Sequence, residues 1–176
     1  MTLFWKLIMK LIGWKTEGGL PENEKKFVII VAPHTSNWDF PLGVIIRGAM
    51  GFKANFLGKD ALFRGPIGFF FRSLGGIPVD RKASQNMVEQ VVGEAKKRKS
   101  FILAIAPEGT RGKVKKWRTG FYYIALNAGI PIIMCQLDFK FRVARFLDPF
   151  YPTGNSKEDL LYIKGRFKNI KGLVDI

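Results

Sequence analysis

Short apolar runs alternate with longer amphipathic stretches between residues 27 and 163, and this alternation strongly limits the possible fold. The apolar runs have the length and the β-branched and aromatic content of strands, whereas the stretches between them carry apolar residues at helical spacing. Such alternation is typical of a sheet covered by helices. We therefore predict a single α/β domain with a mostly parallel or mixed central sheet and helices on both faces. The predicted strands are 27–32, 55–57, 76–79, 101–106, 132–137 and 141–146, and the predicted helices are 38–49, 61–73, 84–98, 117–127 and 156–163.

The chain contains one histidine, His34, which stands five residues before Asp39 and directly after the first predicted strand. Imidazole has an ordinary pKa near neutrality, so His34 is the most economical general base. We expect Ser36 or Asn37 to cap the next helix, with Asp39 in its first turn. There the helix dipole favours a carboxylate, which can reach back and orient the imidazole. The pair would activate a substrate hydroxyl; a lone structural histidine is the alternative reading.

Three further blocks follow in chain order, each at a predicted strand or helix boundary. They are GGIPVDR at 75–81, PEGTR at 107–111 and AGIPII at 128–133. Together with His34 and Asp39 they resemble the HxxxxD, GxxxxR, EGTR and proline-containing blocks of the 1-acylglycerol-3-phosphate acyltransferase-like family of glycerolipid acyltransferases. The resemblance spans roughly residues 27 to 137, and the order of the blocks is far more specific than any one of them.

The resemblance assigns roles to individual residues. It implies that His34 is the general base and Asp39 its partner. Arginine suits a phosphate because its guanidinium is planar and always charged. Glu108 is expected to orient Arg111 or Thr110, since an unpaired carboxylate would repel the phosphate. The residues expected to bind the acceptor's phosphate or to shape its pocket are Arg81, Glu108, Gly109, Thr110, Arg111 and Lys59.

The reaction implied by the resemblance is acyl transfer from acyl-CoA or acyl-carrier protein to the hydroxyl of a lysophospholipid, in phospholipid biosynthesis. The expected acceptor is 1-acylglycerol-3-phosphate; glycerol-3-phosphate, another lysophospholipid or an amino-acid-based lyso-lipid stays open. No cofactor is expected beyond the thioester co-substrate. Cys/His ligand clusters are absent from the sequence, so no metal site is predicted. Cys135 lies in an apolar run, which favours a buried hydrophobe over a nucleophile.

The charge of the chain indicates an anionic partner. It has 29 Lys and Arg against 14 Asp and Glu, a net charge of +15, while 47% of its residues are hydrophobic. A globular core with a strongly basic exterior attracts anionic lipid or nucleic acid. No nucleic-acid-binding motif is present, and such a module would give the HxxxxD and EGTR blocks no role, so we expect no specific nucleic acid. A membrane-binding protein without catalysis is a further alternative, against which the intact His34, Asp39 and Arg111 argue.

The first residues predict an amphipathic helix at a membrane interface. A helix of fourteen residues would be about 20 Å long, too short for a hydrocarbon core of about 30 Å. We assign 1–16 to this helix and 17–176 to the catalytic domain, with 17–19 as a linker; packing of the helix on the domain is the alternative. No export signal is recognised, which favours the cytoplasmic face. The residues expected to contact membrane or acyl chain are Trp5, Trp14, Phe69 and Phe70.

Overall fold

A computed structural model of the protein describes residues 2–79, 84–110, 114 and 116–174, with residues 84–86 described by their backbone only. Seven strands form one sheet in the order β1-β7-β6-β2-β5-β3-β4. All neighbouring strands are parallel except β6 and β7, so the sheet is mixed. The strands are β1 (Lys15–Glu17), β2 (Lys26–Ala32), β3 (Asn55–Lys59), β4 (Gly76–Val79), β5 (Phe101–Ile105), β6 (Ile132–Asp138) and β7 (Val143–Phe146).

Helices cover both faces of this sheet, as the sequence predicts. Alternate residues of β2 show the two layers: Val28 and Ile30 lie in one buried cluster with α4, α5 and α6, and Phe27 and Ile29 lie in the other with α1 and α2. Strands buried on both faces read as continuous apolar runs, which is why the alternation of apolar runs and helices was a reliable signal. The helices are α1 (Thr2–Leu11), α2 (Asp39–Met50), α3 (Pro66–Ser73), α4 (Ser84–Lys97), α5 (Gly120–Ala128) and α6 (Ser156–Gly165).

The parallel strands determine where the loops meet. β2 pairs with β5 on one side and with β6 on the other, all three in the same direction. Their carboxyl ends therefore share one edge of the sheet, where sites of open α/β sheets are found. His34 follows β2, Glu108 follows β5 and Phe139 follows β6, so their loops lie side by side at this edge.

Two predicted elements differ from the structure. The predicted helix 61–73 is instead a short 3₁₀ helix, Asp60–Phe63, followed by α3. Gly65 has φ 70 and ψ −168, a conformation that favours glycine, and Pro66 then begins the new helix.

The second difference is at 17–19, where we expected a linker. Lys15–Glu17 forms β1, which pairs with the edge strand β7. The guanidinium of Arg145 in β7 donates to Glu17 Oε2 at 2.8 Å and to Gln136 Oε1 at 3.2 Å. A polar three-residue strand carries no alternating apolar signal, so its pairing depends on contacts distant in sequence.

The N-terminal helix α1 packs on α2 through one face and exposes the other. Met9 is 6% exposed, and a Cβ added to Gly48 would lie 2.5 Å from the ring of Trp5. The indole therefore rests directly on the backbone of α2. The opposite face is apolar and open to solvent, with Leu3, Phe4, Leu7 and Leu11 between 55% and 79% exposed. Within the described part of the chain, no helix is long and apolar enough to cross a membrane.

Paired glycine substitutions in α2 test this docking. Alanine at an unhindered helical glycine gains about 0.5–1 kcal/mol from backbone entropy. Gly43 meets nothing within 4 Å, so we expect Gly43→Ala to stabilise the protein. Gly48→Ala must displace Trp5, so the same gain should be lost or reversed. Urea midpoints of the two variants, with tryptophan fluorescence as the probe, measure the difference; equal gains would contradict the packing of Trp5 on Gly48.

Candidate active site

His34 and Asp39 form a hydrogen-bonded pair at the carboxyl edge of the sheet. β2 ends at Ala32, and α2 begins at Asp39, so a short loop delivers both side chains to one place. The distance from His34 Nδ1 to Asp39 Oδ2 is 2.8 Å. The Asp39 side chain is 4% exposed and the His34 side chain 21%. The carboxylate is thus shielded from water, whereas the imidazole stays partly accessible to a substrate.

The same carboxylate oxygen also holds the loop. Asp39 Oδ2 accepts hydrogen bonds from the backbone amides of Thr35 at 2.8 Å and Ser36 at 2.9 Å. Our expectation that Ser36 or Asn37 caps α2 was wrong, because the cap position is Trp38 and makes no side-chain cap bond. Ser36 Oγ instead accepts from the Trp38 amide at 3.2 Å. Asp39 lies in the first turn of α2, where the helix dipole stabilises its negative charge.

This geometry defines the chemical state of the imidazole. An ionised carboxylate can only accept hydrogen bonds, so His34 donates its Nδ1–H to Asp39. In the neutral ring the lone pair then resides on Nε2, which is free of the pair and can take a proton. The arrangement is that of a general base and the carboxylate that orients it.

Glu108 supports the loop from the neighbouring strand. Its Oε1 accepts a hydrogen bond from the backbone amide of His34 at 3.1 Å. We predicted that Glu108 orients Arg111 or Thr110; Arg111 lies outside the described residues, and the contact found is with His34. Burial raises the pKa of Glu108 above its ordinary value, and the hydrogen bond from His34 partly offsets this.

Three of the other residues predicted to bind phosphate are described: Gly109 and Thr110, which directly follow Glu108, and Lys59. Gly109 has φ 69, and a Cβ there would lie 2.6 Å from Arg118 Cδ and Nε. Glycine thus lets the Arg118 side chain lie across the turn, a contact that no local sequence signal places there. Thr110 is exposed, and Lys59 is exposed at the end of β3. The two predicted arginines, Arg81 and Arg111, lie outside the described residues.

The apolar residues predicted to meet membrane or acyl chain divide into two groups. Trp5 packs on α2, and Trp14 packs edge-on against Phe139 with ring centroids 4.9 Å apart, so both indoles are half-buried against the protein. Phe69 and Phe70 on α3 are 79% and 56% exposed.

Cys135 is not available as a nucleophile. It lies in β6 among buried residues, and burial raises the pKa of its thiol to about 12. A thiol that stays protonated at neutral pH does not attack a thioester. The prediction of a buried hydrophobe is confirmed. Among the described residues, no group of three or more His, Cys, Asp and Glu side chains is placed to hold a metal.

Comparison with known proteins shows the family of the chain and supports its fold. A family model described as Acyltransferase matches residues 16–137. The chain therefore belongs to the acyltransferase family, as its motifs predict, and is an enzyme of that class. Its fold is similar to the crystal structure of the 1-acyl-sn-glycerophosphate (LPA) acyltransferase PlsC from Thermotoga maritima, with 23% identity and a TM-score of 0.66 over 95% of this chain and 75% of that chain. Among curated proteins, none matches the chain significantly.

The buried carboxyl of Glu108 predicts a pH-dependent stability difference. The pKa of Glu108 is raised in the folded protein, so ionisation of its carboxyl destabilises the fold. This destabilisation is absent below the ordinary pKa of 4.5 and grows as the pH rises through the folded-state pKa. Glu108→Gln keeps an oxygen for the His34 amide and removes the ionisation. We expect the stability of the variant relative to wild type to be higher at about pH 8 than at about pH 4.

Urea unfolding at both pH values measures the effect. Glu89→Gln, at an exposed position of α4, is the matched control for the loss of one negative charge. The raised pKa of Glu108 would be contradicted if the stability of Glu108→Gln relative to wild type did not change with pH. The same pH dependence in Glu89→Gln would also contradict it.

Proposed function

We propose that the protein transfers a fatty acyl group from an acyl thioester, acyl-CoA or acyl-carrier protein, to the hydroxyl of a lysophospholipid at a membrane surface. The proposed acceptor is 1-acylglycerol-3-phosphate. The observation that carries this proposal is the His34–Asp39 pair: a partly accessible imidazole held by a buried carboxylate at the carboxyl edge of the sheet.

The proposed reaction needs no protein nucleophile. His34 Nε2 takes the proton of the acceptor hydroxyl while the hydroxyl oxygen attacks the thioester carbonyl carbon. The new ester bond forms, the carbon–sulfur bond breaks, and the imidazolium returns the proton to the leaving thiolate. Asp39 stabilises the imidazolium that exists between these steps. The thioester is already an activated acyl donor, so we propose no further cofactor.

A phosphate-bearing acceptor is supported by the chemistry of the neighbouring corner. The loop after β5 meets the His34 loop through Glu108, and Arg118 lies across Gly109 in the same turn. A guanidinium there can pair with phosphate oxygens. The family resemblance implies the same role for Arg81 and Arg111. The structurally similar Thermotoga enzyme is described as acting on 1-acyl-sn-glycerophosphate, which agrees with this acceptor.

Apolar rings lead away from the catalytic pair toward α3. Phe40 directly follows Asp39, and its ring lies 5.1 Å from that of Phe56. Phe56 in turn contacts Phe71, 6.4 Å away, and Phe71 contacts Phe70 at 5.8 Å. We propose that an acyl chain lies along these rings, with the exposed Phe70 at their outer end.

Membrane contact is supported by the exposed apolar face of α1. Leu3, Phe4, Leu7 and Leu11 recur at helical spacing on one side, while Trp5 and Met9 hold the helix to the domain. An apolar face of this kind on a basic protein suits insertion into the interface of an anionic membrane. We infer that α1 docks the enzyme on the membrane that contains its acceptor.

Thiol release tests the activity. Wild type should release thiol from acyl-CoA or acyl-carrier protein only when an acceptor is present, and His34→Ala should lower kcat by about 10²- to 10⁴-fold because the general base is lost. Asn37→Ala, at an exposed position of the same loop, is the matched control and should keep full activity.

The acceptor series separates the alternatives. Lysophosphatidic acid, glycerol-3-phosphate, a lysophospholipid with a larger headgroup and an amino-acid-based lyso-lipid are compared in liposomes. Preference for lysophosphatidic acid supports the proposed acceptor, and preference for another overturns it. Thiol release that His34→Ala leaves unchanged would overturn the mechanism.

Vesicle sedimentation tests the membrane contact. Leu11→Glu removes an apolar side chain and adds a negative charge on the exposed face of α1, so we expect at least about tenfold weaker binding to anionic vesicles. Leu161→Glu on α6 is the matched control, since Leu161 is 73% exposed and Leu11 76%. Equal weakening by both substitutions would contradict a specific role for α1.

A further inference from the structure

A pocket of about 580 Å³ lies at the carboxyl edge of the sheet, on the opposite side of His34 from Glu108. Three of its lining residues are cationic, Lys140, Arg142 and Lys171, and two are aromatic, Trp14 and Phe139. None of the described lining residues is acidic. We call this cavity the basic pocket.

The sheet order places the basic pocket next to the catalytic loop. Phe139 and Lys140 directly follow β6, which is hydrogen-bonded to β2 and so lies about 4.8 Å from it. Arg142 directly precedes β7, the next strand along. The catalytic loop after β2 therefore lies between the Glu108 corner on one side and the basic pocket on the other.

The C-terminal segment 171–174 forms the wall shared by the pocket and the catalytic loop. The Phe139 amide donates to the Lys171 carbonyl at 2.8 Å, which ties the segment to the end of β6. At the other end, the Val174 amide donates to Thr35 Oγ1 at 3.3 Å, and Gly172 packs directly on the Thr35 side chain. Thr35 is the residue after His34, so this wall touches both the pocket and the loop that carries the base.

We propose that the basic pocket binds the phosphate-bearing nucleotide end of acyl-CoA. This inference rests on the proposed acyl-transfer function and assigns its donor. The two substrates of that reaction both carry phosphate, and both must reach His34 at once. Two separate cationic sites, one on each side of the base, hold the two sets of negative charges apart and bring the thioester and the hydroxyl together between them.

The chemistry of the pocket matches a nucleotide better than an isolated phosphate. Lysine and arginine side chains pair with phosphate oxygens, while the Trp14 and Phe139 rings offer apolar surface to a planar base. A volume of about 580 Å³ exceeds the needs of a single phosphate and is typical of small-molecule sites. A concave site also suits a nucleotide more than the convex surface of a carrier protein.

Binding of adenosine 3′,5′-bisphosphate, measured by calorimetry, tests the pocket independently of catalysis. This probe carries the base and phosphates but no thioester. We expect Lys140→Gln and Arg142→Gln each to weaken its binding about three- to tenfold at low salt. The double variant Lys157→Gln/Lys164→Gln removes two charges from the exposed side of α6 and should bind as wild type does.

Donor kinetics give the second arm. Lys140→Gln should raise KM for acyl-CoA without changing kcat or KM for the acceptor, and should not affect acyl-pantetheine, which has no phosphate. Binding of the same variants to anionic vesicles and to acyl-carrier protein is measured for comparison.

The outcomes separate the inference from the proposed function. If wild type binds the probe through Lys140 and Arg142 but transfers no acyl group, the pocket assignment stands and the proposed function fails. If acyl transfer proceeds while the pocket variants bind the probe as wild type does, the assignment is overturned. If Lys140→Gln and Arg142→Gln weaken binding only to anionic vesicles, or only to acyl-carrier protein, the pocket assignment is also overturned. The pocket would then bind that partner instead of a nucleotide.

Discussion

One carboxylate oxygen, Asp39 Oδ2, organises the loop that carries His34. It accepts hydrogen bonds from the His34 ring and from the amides of Thr35 and Ser36, all within 2.9 Å. Because Asp39 is buried at the start of α2, these bonds are shielded from water, and the helix dipole stabilises the charge of the carboxylate. The same carboxylate oxygen therefore shapes the loop and orients the imidazole. Glu108 adds a fourth anchor from the neighbouring strand through the His34 amide.

In the proposed reaction, the sheet order allows two anionic substrates to reach one base. β2 lies between β5 and β6, so the loop of His34 has a polar corner on each side. The corner after β5 carries Glu108 and Arg118, and the corner after β6 carries the basic pocket. In the proposed reaction the acceptor approaches from the first and the donor from the second.

Local sequence signals predict part of this architecture and miss contacts between distant segments. Buried parallel strands are apolar on both faces, so β2, β5 and β6 were predicted within one residue of their ends. The His34–Asp39 pair was predictable because His34 follows the end of a strand and Asp39, five residues later, lies in the first turn of the next helix. β1 was missed because its polar residues gain order from pairing with β7 and from the Arg145 side chain, both far along the chain. The basic pocket was missed for a similar reason, since residues 12–14, 139–142 and 171–173 meet only in the folded protein.

The central claim is that Asp39 fixes His34 as a base with its lone pair on Nε2. His34 is the only histidine in the chain, so its imidazole signals in a ¹⁵N-labelled sample need no assignment against others. Long-range ¹H–¹⁵N correlation spectra of the neutral ring report directly which nitrogen carries the proton. The account predicts a protonated Nδ1 and an unprotonated Nε2 in the wild type, with mixed tautomers in Asp39→Asn. A wild-type ring protonated on Nε2 would contradict it.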